Sequence, residues 1–223
     1  MNILLVFATS AEASILDRIT GFAGEPEISF QGKHTLSVLI TGVGGMSTSW
    51  SLQQWLSNNP RPDLAINAGI AGSFNKDYGH GATVIPVSDC FADLGIEIDG
   101  NYHTLAEAGL VDPNQPPFEK GELVMRNSWL DRMSGVAPVV RAVTVNTASG
   151  STASVERLVS KFNPDIETME GATFFYICIR EKIPFLAIRA VSNFVEPGRR
   201  SKWEIPLALE SLAGKLGEIL NRL

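Results

Sequence analysis

The 223-residue chain has only two cysteines and three histidines, and its 18 Lys and Arg are outnumbered by 24 Asp and Glu, for a formal charge of −6. Cys90 and Cys178 are far apart and match no metal-ligand or redox spacing, so two buried free thiols in reducing surroundings are expected, with no metal and no cofactor. His34, His80 and His103 fall in turns or loops with no nucleophile or metal partner at useful spacing, and read as surface residues. Basic residues are scattered except for GRRSK at 198–202, so the cationic footprint of nucleic-acid binding is missing. No run of about eighteen apolar residues occurs, so no membrane span is expected. The apolar start ILLVFA has no cation before it and soon meets Glu12 and Asp17, unlike a secretory signal. Together these absences point to a cytoplasmic protein that handles a small molecule.

What is present is a 44% hydrophobic chain, long enough to bury a sizeable core and read as one domain over 1–223. Short Val, Ile and Leu runs alternate with longer helical patterns, the rhythm of an α/β protein with a largely parallel sheet. NILLVF opens as a strand, residues 11–20 read as a short helix, and EISFQGKHTLSVLITG reads as two strands around a QGK turn. GMSTSWSLQQWLSNN is the next helix, stopped by Pro60. DLAINAG is a third buried strand that ends in a small-residue loop, AGIAGS, and GATVIPVSDCF is another strand. Residues 94–121 show little periodicity and read as a long surface excursion, a lid or a subunit contact. VVRAVTV, helices over about 151–162 and 169–181, the strand PFLAIRAV and a helix from Trp203 complete the chain.

Several residues invite a chemical reading. TGVGGMS at 41–47 joins strand to helix but lacks dinucleotide-binding spacing, so a tight turn explains it better. AGIAGS, with Ala71 and Gly72, lies where open α/β sheets bind ligands, although such turns also need glycine for shape alone. Thr9-Ser10-Ala11-Glu12 is a capping box, which by itself accounts for Glu12. Glu167 and Glu170 open an almost wholly apolar helix; the helix dipole explains one acid, and Met169-Glu170 reads better as a carboxylate at a pocket wall. Arg189 sits inside the apolar strand FLAIRAV and needs an acidic partner, Glu12 or Glu170, though a purely structural buried pair is also consistent.

NILLVFATSAEA, INAGIAGS, ETMEGA and IRAVSN, in that order and spacing, resemble the nucleoside phosphorylase and nucleosidase superfamily nearly end to end, including the methylthioadenosine/S-adenosylhomocysteine nucleosidases. The resemblance implies a three-layer α/β/α sandwich around a twisted mixed sheet, in a homodimer or larger homo-oligomer. It implies that Glu12 is the general base that activates water, that Met169 and Glu170 hold the ribose, that Arg189 helps arrange the water and its acid partner, and that Asn193 faces the leaving base. Adenine-specific members carry Asp where this chain has Asn193. An amide can donate to the oxygen of a 6-oxopurine while its carbonyl accepts from protonated nitrogen 7, so hypoxanthine is the expected base.

Phosphorylases of the superfamily surround phosphate with arginines, one of them in the loop matching AGIAGS; this chain has none there, so hydrolysis is expected. Ile70 stands where nucleosidases usually place serine. ETMEGA and SNFVEPGRRSKW look like the futalosine hydrolase subfamily, and Arg199, Arg200 and Lys202 beside Trp203 suit a substrate tail that is aromatic and anionic. The alternatives carried are a methylthioadenosine-type nucleosidase, an inosine-type phosphorylase and a non-catalytic nucleoside sensor. The aromatic that nucleosidases place near VNTAS is missing, leaving Phe91, Phe174 and Phe194 as candidates to stack on the base.

Overall fold

The computed structural model describes residues 1–20, 27–197 and 203–223. Its first strand, β1 (Asn2–Phe7), is buried on both faces from Ile3 onward, as its unbroken apolar run requires of a central parallel strand. A short helical run follows, beginning with α1 (Ser10–Ala13) and ending with α2 (Asp17–Thr20). The hairpin β2 (Glu27–Phe30) and β3 (His34–Ile40) comes next, then α3 (Gly45–Asn58). Beyond it lie β4 (Leu64–Ser73), β5 (Thr83–Asp89), β6 (Gly95–Ile98), β7 (Asn101–Thr104), β8 (Leu123–Val124) and α4 (Ser128–Arg132). The chain finishes with β9 (Val139–Thr144), α5 (Thr152–Phe162), β10 (Ile166–Thr168), α6 (Gly171–Arg180), β11 (Phe185–Phe194) and α7 (Ile205–Arg222).

The result is a mixed α/β fold around a nine-stranded sheet of order β10-β9-β5-β11-β4-β1-β3-β2, with β8 on β5. The sheet also curls on itself. β10 runs parallel to β9 and pairs antiparallel with the end of β4, Ile166 opposite Ser73 and Glu167 opposite Gly72. Five strands, β4, β11, β5, β9 and β10, thereby form a ring. This closure brings the segment entering α6 beside the end of β11, because Asn193 also stands opposite Gly72.

Two expectations are corrected here. AGIAGS is the second half of β4 rather than a loop: through Ser73 its backbone pairs with β11, and Ala71 is buried among Val84, Val140 and Ile166. Small residues suit a strand flanked on both sides inside a ring as well as they suit a loop. Residues 94–121, read as a long surface excursion with little periodicity, contain the β6-β7 hairpin, whose strands approach so closely at Gly95 that a Cβ there would collide with the His103 carbonyl. With α5 and α6 this segment borders a cavity of about 630 Å³ lined partly by Phe91, Phe118 and Tyr176.

Helices follow their patterns. α7 buries Ala208, Leu212, Leu216, Ile219 and Leu220 as one stripe, each large aliphatic contributing about 1.5–3 kcal/mol. α6 is buried nearly all round. α3 buries only Thr48 and Leu52 and leaves Met46 and Trp50 exposed, at 87% and 68%. Both cysteines are free and buried. No helix among the described residues is long and apolar enough to cross a membrane.

Candidate active site

Glu12 occupies the first turn of α1 and is buried. The capping box forms: the Thr9 hydroxyl accepts from the Glu12 N–H at 3.2 Å, and Glu12 Oε2 accepts from the Thr9 N–H and hydroxyl, each at 3.0 Å. That uses one carboxylate oxygen. The other, Oε1, accepts the backbone N–H of Ile70 at 3.0 Å, across in β4. Glu12 is therefore a cap and also a carboxylate held against a central strand. The approach depends on Gly69, where a Cβ would sit 2.7 Å from Glu12 Oε1 and 3.8 Å from Arg189 Nε.

Arg189 is almost fully buried, and its direct partners differ from those expected. Nη1 donates to the carbonyls of Asn67, at 2.8 Å, and Ile188, at 3.0 Å; Nη2 donates to the Asn67 side-chain oxygen. Asn67 is itself pinned by donating to the Val6 carbonyl at 3.0 Å. Among the described residues no carboxylate forms a direct ion pair with Arg189; Glu170, Glu12 and Asp89 surround it and act through their fields. Three of the five guanidinium N–H donors are satisfied by these oxygens, so the buried cation is solvated by amide groups without a carboxylate in contact.

Glu170 is the N-cap residue of α6, and its Oε1 accepts from the Gly44 N–H at 2.8 Å. Gly44 heads α3 with φ of 89°, a left-handed conformation that glycine adopts without strain and that turns its N–H toward the acid. Burial raises the Glu170 pKa, and the Gly44 bond and Arg189 oppose the rise. Met169 and Glu170 are both half-buried and so open to a ligand. Glu167 lies in β10 rather than on the helix, where Oε1 accepts from the Ser149 N–H at 2.9 Å.

Asn193 is the penultimate residue of β11, just after a bulge at Ser192. Its Nδ2 donates to the Phe194 carbonyl at 3.1 Å and its Oδ1 accepts from the Ser192 hydroxyl at 2.8 Å. A carbonyl only accepts, so the amide nitrogen must face Phe194, which fixes the orientation of the group. One N–H and one lone pair of the amide remain for a ligand. Gly72 is packed against it: a Cβ there would lie 3.2 Å from Asn193 Nδ2. Ala71 accepts from Ser192 through its carbonyl at 3.2 Å.

Of the three aromatic candidates, Phe174 is excluded, since it is fully buried in a cluster with Phe175 and Phe185. Phe91 packs edge-on to Tyr176, and Phe194 lies beside Asn193 with its ring 5.2 Å from that of His80. Arg199, Arg200 and Lys202 lie outside the described residues.

Sequence reading missed Gly44, Asn67, Gly69 and Asp89. Gly44 lies in TGVGGMS and Asn67 and Gly69 in INAGIAGS, but those motifs assign them no contact; the one available signal was an asparagine within the otherwise apolar DLAINAG. Among the described residues no cluster of His, Cys, Asp and Glu could hold a metal.

Residues 20–223 match the family described as the phosphorylase superfamily. Futalosine hydrolases of Acidothermus cellulolyticus and Streptomyces coelicolor are each 29% identical, over 94% and 98% of this chain and 86% and 95% of their own. A 5'-methylthioadenosine/S-adenosylhomocysteine nucleosidase of Buchnera aphidicola subsp. Schizaphis graminum is 24% identical over 84% of this chain and 79% of its own. The fold matches that of the native futalosine hydrolase of Helicobacter pylori strain 26695 with a TM-score of 0.82 at 16% identity, covering 100% of this chain and 98% of that one. With nearly its whole length accounted for, the chain belongs to the phosphorylase superfamily.

Proposed function

We propose that the protein hydrolyses the N-ribosidic bond of futalosine, releasing hypoxanthine and dehypoxanthinyl futalosine on the futalosine route to menaquinone. The observation that carries the choice of base is the fixed amide of Asn193. Its free N–H suits the oxygen of a 6-oxopurine and its free lone pair suits a protonated nitrogen 7, whereas adenine would set an amine against the N–H. Curated relatives named for the same reaction support the reading.

Cleavage builds positive charge on the sugar and negative charge on the departing base. In this reading Glu12 takes a proton from water, Glu170 accepts the ribose hydroxyls with Met169 against the sugar, and Asn193 bonds to the leaving hypoxanthine as charge develops. Arg189 braces Asn67 and sets the field between Glu12 and Glu170, and the β4 segment of Ala71 and Gly72 backs the base. Water is favoured over phosphate because β4 carries no arginine and Arg189 is almost fully buried, with three of its N–H donors on Asn67 and Ile188.

Arg199 and Arg200 are proposed to meet the anionic tail of the substrate. The fold is taken to be one domain of three α/β/α layers, working in the cytoplasm. Ile40, Val43, Met46 and Trp50 are exposed apolar residues close in sequence to Gly44, and the proposed homodimer or larger homo-oligomer would cover them.

Base release from futalosine, inosine and methylthioadenosine, each with and without phosphate, tests the reading by chromatography. Phosphate-independent hypoxanthine from futalosine alone is expected. Adenine from methylthioadenosine, or a requirement for phosphate, would overturn it.

A further inference from the structure

Three strands end at one point beneath α6, on Asp89 of β5, Thr144 of β9 and Thr168 of β10. All three side chains are buried. The Thr144 hydroxyl donates to Asp89 Oδ1 at 2.9 Å, lies 3.1 Å from the Thr168 hydroxyl, and accepts the Ala172 N–H at 2.7 Å; Thr168 accepts the Gly171 N–H at 3.2 Å. One proton order satisfies every contact: Gly171 N–H to Thr168, Thr168 to Thr144, Thr144 to Asp89. The acid is the acceptor that ends the relay, and it keeps this role whether ionised or protonated, since either form of Oδ1 accepts.

The arrangement replaces an ordinary helix cap. Glu170 is the N-cap residue of α6, yet its side chain makes no bond to its own helix and instead reaches Gly44. Normally the N-cap side chain would satisfy the first amides. Here the two threonines do so, backed by Asp89, and the carboxylate of Glu170 is released from its own helix and reaches Gly44 instead. Asp89 also presses on the helix start: a Cβ at Gly171 would collide with its second oxygen, Oδ2, which has no hydrogen-bond partner among the described residues.

We propose that Asp89 is a positioning residue for the sugar-binding carboxylate, acting through Thr144 and Thr168 on the first turn of α6 to aim Glu170 at the ribose hydroxyls. This rests on the reading of Glu170 as the ribose-holding group. Burial pushes the Asp89 acid up to about 7, consistent with a group kept for its place rather than for solvation.

The test compares two breaking variants, Thr144→Val and Asp89→Ala, with two that keep the acceptor and hydroxyl, Thr144→Ser and Asp89→Asn. Three quantities are read: KM for futalosine, the inhibition constant of free hypoxanthine, and hydrogen exchange of the Gly44 amide by NMR. Breaking the relay should raise KM about tenfold, leave hypoxanthine inhibition within about twofold, and speed Gly44 exchange about tenfold, while both conservative variants stay within about threefold of the parent. Should Asp89→Ala not fold, Thr144→Val decides alone. Unchanged Gly44 exchange in the breaking variants would overturn the proposal, as would equal weakening of futalosine and hypoxanthine, which marks general loosening. If the parent protein cleaves no futalosine, the functional reading fails, and Gly44 exchange still decides the role of Asp89.

Discussion

Glu12 Oε1 accepts the Ile70 N–H at 3.0 Å while Oε2 is shared with Thr9, so every observed contact of this carboxylate is as an acceptor. Glu12→Gln therefore does more than remove a base. Its new amide sets a donor against the N–H of either Thr9 or Ile70. Turnover should fall about a thousandfold, and unfolding free energy should drop by about 1–3 kcal/mol with the chain still folded. Urea titration beside a rate assay measures both; full stability with full loss of rate would mean that the capping contacts are dispensable.

Gly69→Ala should separate those two effects. The added methyl, 2.7 Å from Glu12 Oε1, must push the acid off Ile70 or toward Arg189. Futalosine turnover should fall about ten- to a hundredfold, more in kcat than in KM. Wild-type rates would show that Glu12 tolerates displacement and is not the base.

Asn193→Asp would set an oxygen 3.1 Å from the Phe194 carbonyl in place of Nδ2. Two acceptors in contact repel unless one carries a proton, so this carboxyl should titrate above the ordinary range near 4. The protonated form can donate to a purine nitrogen. The variant is expected to release adenine from methylthioadenosine with a rate that falls as pH rises through that raised pKa, and to lose most hypoxanthine release. Rates for both substrates from pH 5 to pH 9 check this; an unchanged base preference would show that the base is read elsewhere.

Stability should carry an acid signature. Asp89, with its acid pushed up to about 7, binds its proton more tightly when folded than when unfolded, where it titrates near 4. The unfolded chain thus holds fewer protons between those values, and stability declines as pH rises from about 4 to about 7. Burial raises Glu167 and Glu170 in the same direction. Asp89→Asn should flatten the decline, so its melting temperature relative to the parent should be higher at pH 8 than at pH 5. A difference independent of pH would mean that Asp89 does not titrate in this window.

How much of this was legible in sequence depends on the range of the interaction. β1, β3, α3, α7 and the start of β11 follow from local periodicity and local stops such as Pro60. β10 was read as the start of a helix because three residues, IET, carry no period, and only the ring closure makes them a strand. Pairing with β11 makes AGIAGS a strand rather than a loop. Site residues divide in the same way. Glu12, Glu170 and Asn193 sit in readable motifs, and so does Asn67, but its pairing with Arg189 is not readable: the two are 122 positions apart, and a charge argument looks for acids and overlooks carbonyl groups. Asp89 looked like the end of a strand, and its importance is visible only where three strand ends meet.

The doubly bound Glu12 has a consequence for lineages of this fold. A descendant that no longer needed the reaction would still be selected to keep Thr9 and Glu12, because together they hold the first helical turn. Gly69 enjoys no such protection: in a central strand glycine is weaker than alanine by about 0.5–1 kcal/mol, and it is tolerated here for the room it leaves the acid. Drift would therefore erase Gly69 before Glu12. Among relatives, a side chain at that position is a more sensitive mark of lost catalysis than the acid itself.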